Sequence, residues 1–329
     1  MTVDAPVPAL ARLFGTIRPD LARVEAEIAR MTSARAQPLR ELLQHVGRFS
    51  GKRLRPALTL LAGRLCGGLR PDHVTVAAIV ELIHTATLVH DDILDESSLR
   101  RRVETVNRRV GNETAVLLGD WLFATCFKEA AALEDRFASR YLAEIVTIVC
   151  RGEILQVHHR NDTELTEETY FAIIEDKTAA LYAAALRCGA EIAGAPPAWS
   201  RALSDFGMKV GCAFQIVDDI LDLTGEEAAV GKSLGTDLEK AKMTLPLLRL
   251  RARATKADAE RVRRCILSAD AAERRAVLPL LGEYGAVASA RETAERLVAD
   301  ARRCLAGLPD APERALLHEA ADYVLARDR

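Results

Sequence analysis

Apolar residues recur at helical spacing along almost the whole chain. Leu39, Leu42, Leu43 and Val46 fall at i, i+3, i+4 and i+7, and Ile145, Ile148 and Val149 repeat the pattern. The strongest run, VTVAAIVELIHTATLV from Val74 to Val89, is apolar almost all round, as expected of a helix buried in a core. Breakers fall between such runs: Gly47 and Gly51, Gly67-Gly68 with Pro71, Gly194 to Pro197, Gly225, and Gly231 to Gly235. Thr166, followed by Glu168 and Thr169, marks a helix start before the run Tyr170 to Cys188. The sequence has no sustained period-2 alternation, no low-complexity linker and no short-period repeat. The pattern predicts one all-α domain over residues 1–329, with about ten or more helices given a mean helix length of about 11 residues.

Composition narrows the class. Apolar residues make up 49% of the chain, aromatics only 5%, and the formal net charge is −2. Nothing there predicts disorder or a general attraction to nucleic acid. Seven cysteines without a CxxC pair read as reduced thiols, most of them small core residues, which points to the cytoplasm. The first residues, MTVDAPVPAL, lack the basic-then-apolar pattern of a signal peptide, and Glu81 and His84 interrupt the most apolar run. The expectation is a cytoplasmic protein without a transmembrane segment.

Chemistry enters where that apolar run ends. LVHDDILDESSLRRR, residues 88 to 102, sets Asp91, Asp92 and Asp95 at the end of a core helix, with Arg100, Arg101 and Arg102 shortly after. The pentapeptide DDILD returns as Asp218, Asp219 and Asp222, 218 − 91 = 127 positions later and again after an apolar run. Residues i and i+4 lie about 40° apart around a helix, so each box is expected to project its three carboxylates from one side. Such carboxylates repel one another unless a cation compensates, and hard oxygen ligands at this spacing suit Mg²⁺ with a phosphate as co-ligand. A single DDxxD is commonly a solvated helix end, whereas two copies emerging from apolar runs resist that explanation. Neither copy has the glycine and glutamate positions of a calcium-binding loop.

Basic residues complete the pattern. Gly51-Lys52-Arg53-Leu54-Arg55-Pro56 crowds three cations into a tight loop, with Pro56 placed to start a helix. Lys177-Thr178, Lys232 and Lys242 are spread through the second half. Alone, each is an ordinary surface charge. Beside two metal-binding boxes they read as sockets for diphosphates.

The chain here resembles the trans-isoprenyl diphosphate synthases, the polyprenyl synthetase family. GKRLRP at 51–56, ELIHTATLVHDDILDESSLRR at 81–101, KT at 177–178, FQIVDDILD at 214–222 and GKSLGTDLEKAKMTLP at 231–246 carry the resemblance, with a weaker echo in the terminal YVLARDR. It implies the isoprenoid synthase fold, a large helical bundle around a central apolar pocket. It further implies metal ligands at Asp91, Asp92, Asp95, Asp218, Asp219 and Asp222, for about three Mg²⁺ ions per active site once substrate is bound. The allylic diphosphate would meet Arg100, Lys177, Thr178, Gln215, Lys232 and Lys242. Isopentenyl diphosphate would meet Lys52, Arg55, His84 and Arg101. Of these, Asp91, Asp92, Asp95, Asp218 and Lys177 are the residues expected to serve catalysis. Three positions depart from the family pattern: Gly51 stands alone where a glycine pair is common, and Arg102 and Ala241 replace glycines, the latter expected to stiffen a loop over the substrate.

The reaction so implied is head-to-tail prenyl transfer. Cations stabilise the departing diphosphate, the isopentenyl double bond attacks the allylic cation, and a proton leaves, for which the family is thought to use the released diphosphate as base. Water must be excluded, so the pocket beneath the aspartates should be apolar. Positions Ala86 and Thr87, where short-product relatives carry a bulky aromatic, are small here. With Ile83, Ile79 and Val76 they mark out a wall of roughly 15 Å at about 1.5 Å per residue, with Trp121, Phe123 and Phe127 as possible floors. An octaprenyl product is favoured, and farnesyl, geranylgeranyl or farnesylgeranyl products stay open. A terpene cyclase would replace the second box, and a non-catalytic regulatory subunit would lose both. A homodimer is expected from the resemblance.

Overall fold

The periodicity read from the sequence is realised as helices almost throughout the computed structural model, which describes residues 8–49, 51–224, 236–268 and 270–327. Up to the second acidic box these are α1 (Pro8–Met31), α2 (Gln37–Val46), α3 (Leu54–Leu65), α4 (Pro71–Leu94), α5 (Val106–Val110), α6 (Asn112–Ala131), α7 (Arg136–His158), α8 (Glu167–Ile174), α9 (Ala180–Ile192) and α10 (Pro197–Thr224). Beyond it come α11 (Thr236–Glu239), α12 (Leu245–Arg253), α13 (Lys256–Leu267), α14 (Ala271–Arg275), α15 (Leu278–Glu283), α16 (Ala286–Cys304) and α17 (Pro312–Leu325). Lys232 and the breakers Gly225 and Gly231 to Gly235 lie outside the described residues.

Local signals set many boundaries. Pro71 opens α4, where its fixed φ suits a first turn. Thr166 caps α8 by accepting a hydrogen bond from the Thr169 amide at 3.1 Å, as its position predicts. The run Tyr170 to Cys188 is not one helix, however. A π-helical turn, Glu175–Ala179, separates α8 from α9. The basic loop also differs from expectation, because α3 starts at Leu54 and so takes Arg55 and Pro56 into its first turn.

The central helix is α4. Val76, Ile79, Val80 and Ala86 are fully buried, and α4 packs against α3, α6 and α9. Among the described residues it is the one helix long and apolar enough to cross a membrane by length and composition, yet 67% of that stretch is covered by the protein itself. Its partner in the layout is α10, which packs against α9 and α16. One connected set of buried side chains runs from Leu13 on α1 to Val324 on α17. A smaller one, with Val46, Phe49, Val89, Val106, Ala115 and Leu118, seats α2 against the last turns of α4.

Directly after α4 the chain forms a minimal β-hairpin, Leu99–Arg100 (β1) against Val103–Glu104 (β2). Its two turn residues, Arg101 and Arg102, have φ of 50° and 64°, the left-handed pair that a two-residue hairpin loop demands. Ala241 is left-handed as well, at 53°. Two of the three departures from the family pattern therefore sit where glycine would be unstrained. A side chain there costs about 1–2 kcal/mol, against roughly 0.5–1 kcal/mol for the extra freedom of an unfolded glycine.

Candidate active site

Both acidic boxes lie at helix C-terminal ends, Asp91 and Asp92 in the last turn of α4 with Asp95 capping it, and Asp218, Asp219 and Asp222 in the last turns of α10. This is the end that repels negative charge, because the last carbonyls carry the negative pole of the helix dipole. The three aspartates of a box do not share one role. The first and last of each face a common mouth, whereas the middle one turns inward. Asp92 is 1% exposed and takes a forked pair of bonds from Arg100, at 3.0 Å to Nε and 2.8 Å to Nη2. Asp219 is 4% exposed and is held by the Tyr170 hydroxyl at 2.6 Å and the Gln215 amide at 2.8 Å. The expectation that each box projects its three carboxylates from one side is corrected here. Position i+1 lies about 100° round the helix, enough to carry it into the core. Burial, with Asp237 close by, raises the Asp219 carboxyl well above the usual range, and burial beside Asp219 likewise keeps the Tyr170 phenol protonated.

The outward carboxylates are bridged by cations. Lys242 Nζ lies 3.2 Å from Asp95 and 3.5 Å from Asp237, whose amide donates to Asp222 at 2.9 Å, so one lysine ties the two boxes together. The left-handed turn at Ala241 delivers that lysine. Its carbonyl accepts from the Asn161 amide at 3.1 Å. Arg160 reaches Asp95 at 3.2 Å, and Arg327 reaches Asp218 at 2.5 Å while lying over the Phe214 ring. Burial opposes ionisation of Asp95, yet Lys242 and Lys177 hold its carboxyl below the ordinary value.

The π turn makes a second bridge. Lys177 Nζ contacts Asp91 at 3.3 Å and Glu153 at 2.6 Å. Its neighbour Thr178 donates to Gln215 at 2.8 Å, and Gln215 donates to Asp219. Burial works against the Lys177 charge, but Asp91 and Glu153 outweigh it and raise the ammonium's proton affinity. Burial and then Asp91 push Glu153 up to about 7.

The other expected cations gather below the hairpin. Arg101 donates to the Phe49 carbonyl at 2.7 Å, and its guanidinium lies close over Gly51, where a Cβ would stand 2.8 Å from it. Lys52 donates to the Tyr323 hydroxyl at 2.8 Å, and Arg55 stacks on Tyr182 with 4.3 Å to the ring centre. Arg53, left-handed at φ 54°, pins the loop to Glu25 and Glu81. His84 is held well below its ordinary value by burial and then by Arg55, Arg100, Arg101 and Arg53, so it stays neutral.

Below the mouth, Ala86, Ile83, Ile79 and Val76 are buried as expected, and the Thr87 hydroxyl is spent on the His84 carbonyl at 2.8 Å. Facing them from α6 are Leu122 and Cys126, the latter 3.7 Å from the Ile79 carbonyl. Phe127 is 42% exposed on the opposite side of α6 and cannot serve as a floor. Trp121 and Phe123 are partly buried against the core.

Six side chains of this site stand outside any expected role: Glu153, Arg160, Tyr170, Asp237, Tyr323 and Arg327. Asp237 lies inside the GTDLEK stretch and Tyr323 and Arg327 inside YVLARDR, where the weak C-terminal echo was the available signal. Glu153 and Tyr170 sit on otherwise ordinary helical sequence, and Arg160 follows two residues after the end of α7.

Whether a divalent cation fits can be judged from these donors. Asp91, Asp95, Asp218 and Asp222 are hard oxygen ligands, and among the described residues no three acidic or imidazole groups converge closely enough to hold an ion unaided. Such a set suits an ion that keeps water and takes phosphate oxygens. Around it, Arg55 Nε, Arg160 Nε and Arg327 Nη1 are buried donors without a hydrogen-bond partner, as expected where an anion docks.

An all-α bundle with two opposed acidic helix ends defines an isoprenoid synthase. The sequence matches the model of the polyprenyl synthetase family over residues 36–281. It is 36% identical to octaprenyl diphosphate synthase of Escherichia coli (strain K12) over 313 residues, 94% of this chain and 96% of that protein. The fold superposes with a TM-score of 0.93 on polyprenyl synthase from Caulobacter crescentus CB15, solved in complex with calcium and isoprenyl diphosphate, at 36% identity over 97% of this chain and 98% of that one. Decaprenyl diphosphate synthase from Rhodobacter capsulatus gives 0.91 at 39% identity, covering 97% and 99%. The chain belongs to the polyprenyl synthetase family and is a prenyltransferase.

Two outcomes follow for the site. Tyr170→Phe removes one of the two donors to the buried Asp219 carboxyl, leaving the Gln215 amide, and is expected to cost about 1–3 kcal/mol in urea unfolding. His84 is neutral when folded and takes a proton when unfolded, so its contribution to stability is present above about pH 6.5 and is lost as the pH falls below it. In His84→Asn the urea midpoint should drop less between pH 7 and pH 5.5 than in the parent.

Proposed function

We propose that the enzyme condenses isopentenyl diphosphate head-to-tail with an allylic diphosphate such as farnesyl or geranylgeranyl diphosphate. The product is a long all-trans polyprenyl diphosphate, with octaprenyl favoured. The observation that carries the reading is the Lys242 bridge from Asp95 to Asp237 and Asp222, which brings two carboxylate sets and their cations to one mouth above an apolar wall. Relatives named for octaprenyl and decaprenyl products support the length.

Mg²⁺ is the proposed cofactor, about three ions per site, held by Asp91, Asp95, Asp218 and Asp222. When bound it would supply Lewis acidity to the departing diphosphate. Asp92 and Asp219 act from behind, fixing the helix ends. Lys177, Thr178, Gln215, Lys232, Lys242 and Arg100 receive the allylic diphosphate. Lys52, Arg55, Arg101 and neutral His84 receive isopentenyl diphosphate, with His84 adding no charge of its own. Ala86, Thr87 and Ile83 leave the tail a path along α4, and the apolar wall keeps water from the cation.

The working unit is one domain over residues 1–329, a cytoplasmic homodimer. All seven cysteines are free thiols, which supports a reducing compartment. Val116, Leu117 and Phe127 on α6 and Ile154 and Val157 on α7 are exposed large apolar residues on neighbouring helices, a surface suited to a second copy.

Purified protein incubated with Mg²⁺, labelled isopentenyl diphosphate and farnesyl diphosphate should give a ladder of products ending near octaprenyl. Products stopping at geranylgeranyl would place the floor higher, and no elongation by folded protein would reject the reading. Asp91→Ala and Asp218→Ala should each lower turnover by about a hundredfold or more with unchanged helical circular dichroism. Ala86→Phe should shorten the products while leaving the Michaelis constants for both diphosphates near those of the parent.

A further inference from the structure

Three consecutive residues of α7 each grip the π turn that carries Lys177. The Arg151 guanidinium makes a forked pair with Asp176, at 2.6 and 2.7 Å. Gly152 is so close that a Cβ there would stand 2.4 Å from the Lys177 amide nitrogen. Glu153 accepts from Lys177 Nζ at 2.6 Å, shorter than the 3.3 Å contact from Lys177 to Asp91. From the opposite side Thr178 is tied to Gln215 on α10.

We propose that Glu153 is the positioning residue for Lys177, working with Gly152 and Arg151 as a clamp that holds the π turn and aims its ammonium at the allylic diphosphate. The proposal rests on the reading of Lys177 as a diphosphate ligand given above. A lysine side chain loses about 2 kcal/mol of rotamer entropy when fixed, and a single π turn inside a helix is a rare feature that is frequent at functional sites. In the structure Lys177 has two acidic partners on two helices. Asp91 belongs to the metal-binding set and is engaged elsewhere when the ion and diphosphate are bound. Glu153 stands on α7, outside both boxes, and is the partner that remains. Gly152 lets α7 come near enough for a glutamate to reach, and the Arg151–Asp176 pair fastens the turn at its outer edge.

The test is a double-mutant cycle on the full-length enzyme with Mg²⁺. Initial rates are measured for the parent, Glu153→Ala, Lys177→Ala and the double variant, varying farnesyl diphosphate at saturating isopentenyl diphosphate and then the reverse. Glu153→Ala is expected to raise KM for the allylic diphosphate by about tenfold and to leave KM for isopentenyl diphosphate nearly unchanged. The double variant should be no worse than Lys177→Ala alone. If Glu153→Ala fails to fold by circular dichroism, Glu153→Gln, which keeps the shape and a hydrogen bond without the charge, takes its place with a smaller effect in the same direction. Losses that multiply in the double variant, or equal changes in both KM values, overturn the clamp and leave the diphosphate reading of Lys177 standing. A Lys177→Ala enzyme with unaltered allylic kinetics overturns that reading first, and the clamp falls with it.

Discussion

Six aspartates at the C-terminal ends of two buried helices are the constraint around which this protein is arranged. Like charges repel, and a helix C-terminus adds its own negative pole. The chain answers with cations from widely separated segments: Arg100 from the hairpin, Arg160 beyond α7, Lys177 from the π turn, Lys242 after α11 and Arg327 past α17. Each of these elements is irregular, being a hairpin, a helix end or a bulge. The regular helices supply the rigid frame, and the breaks in regularity supply the countercharge.

The division of labour inside each DDILD box follows from the same geometry. A four-residue step keeps two carboxylates on the mouth, and a one-residue step turns the third into the protein. Once inside, that third carboxylate needs partners. The two boxes solve this differently, Asp92 with an ion pair and Asp219 with a phenol and an amide. The first solution sets a guanidinium directly against the Asp92 carboxyl. In the second, burial and the nearby Asp237 raise the proton affinity of the carboxyl, and the phenol and amide donors offset part of that rise. The duplicated motif thus ends in two electrostatically unlike halves, one anchored by arginine and one by neutral donors.

Much of this was legible in the sequence, and the reasons for the remainder are physical. The helical class, the buried character of Val74 to Val89, the Thr166 cap and the paired boxes are local properties of spacing and residue type. The inward turn of Asp92 and Asp219 is a matter of about 100° of rotation, and which side of a helix faces the core depends on what packs there. Glu153 is ordinary in RGEILQ, and only the approach of α7 to the π turn, more than twenty residues on, gives it a partner. Phe127 reads as core by composition and is outside because α6 turns Leu122 and Cys126 towards α4. The positive φ at Arg102 and Ala241 has no signal in residue type, since arginine and alanine ordinarily avoid that region.

The π turn has one more consequence. A π bulge is in effect an α-helix carrying one extra residue, which rotates whatever follows by about 100° relative to an unbroken helix. Between Tyr170 and Tyr182 that single residue decides which way two neighbours look: Lys177 towards α4 and α7, Thr178 towards α10. A one-residue deletion within Glu175–Ala179 would yield a smoother and locally more comfortable helix. It would also swing one of the two functional side chains away from its helix, so the irregularity is retained against the preference of the backbone itself.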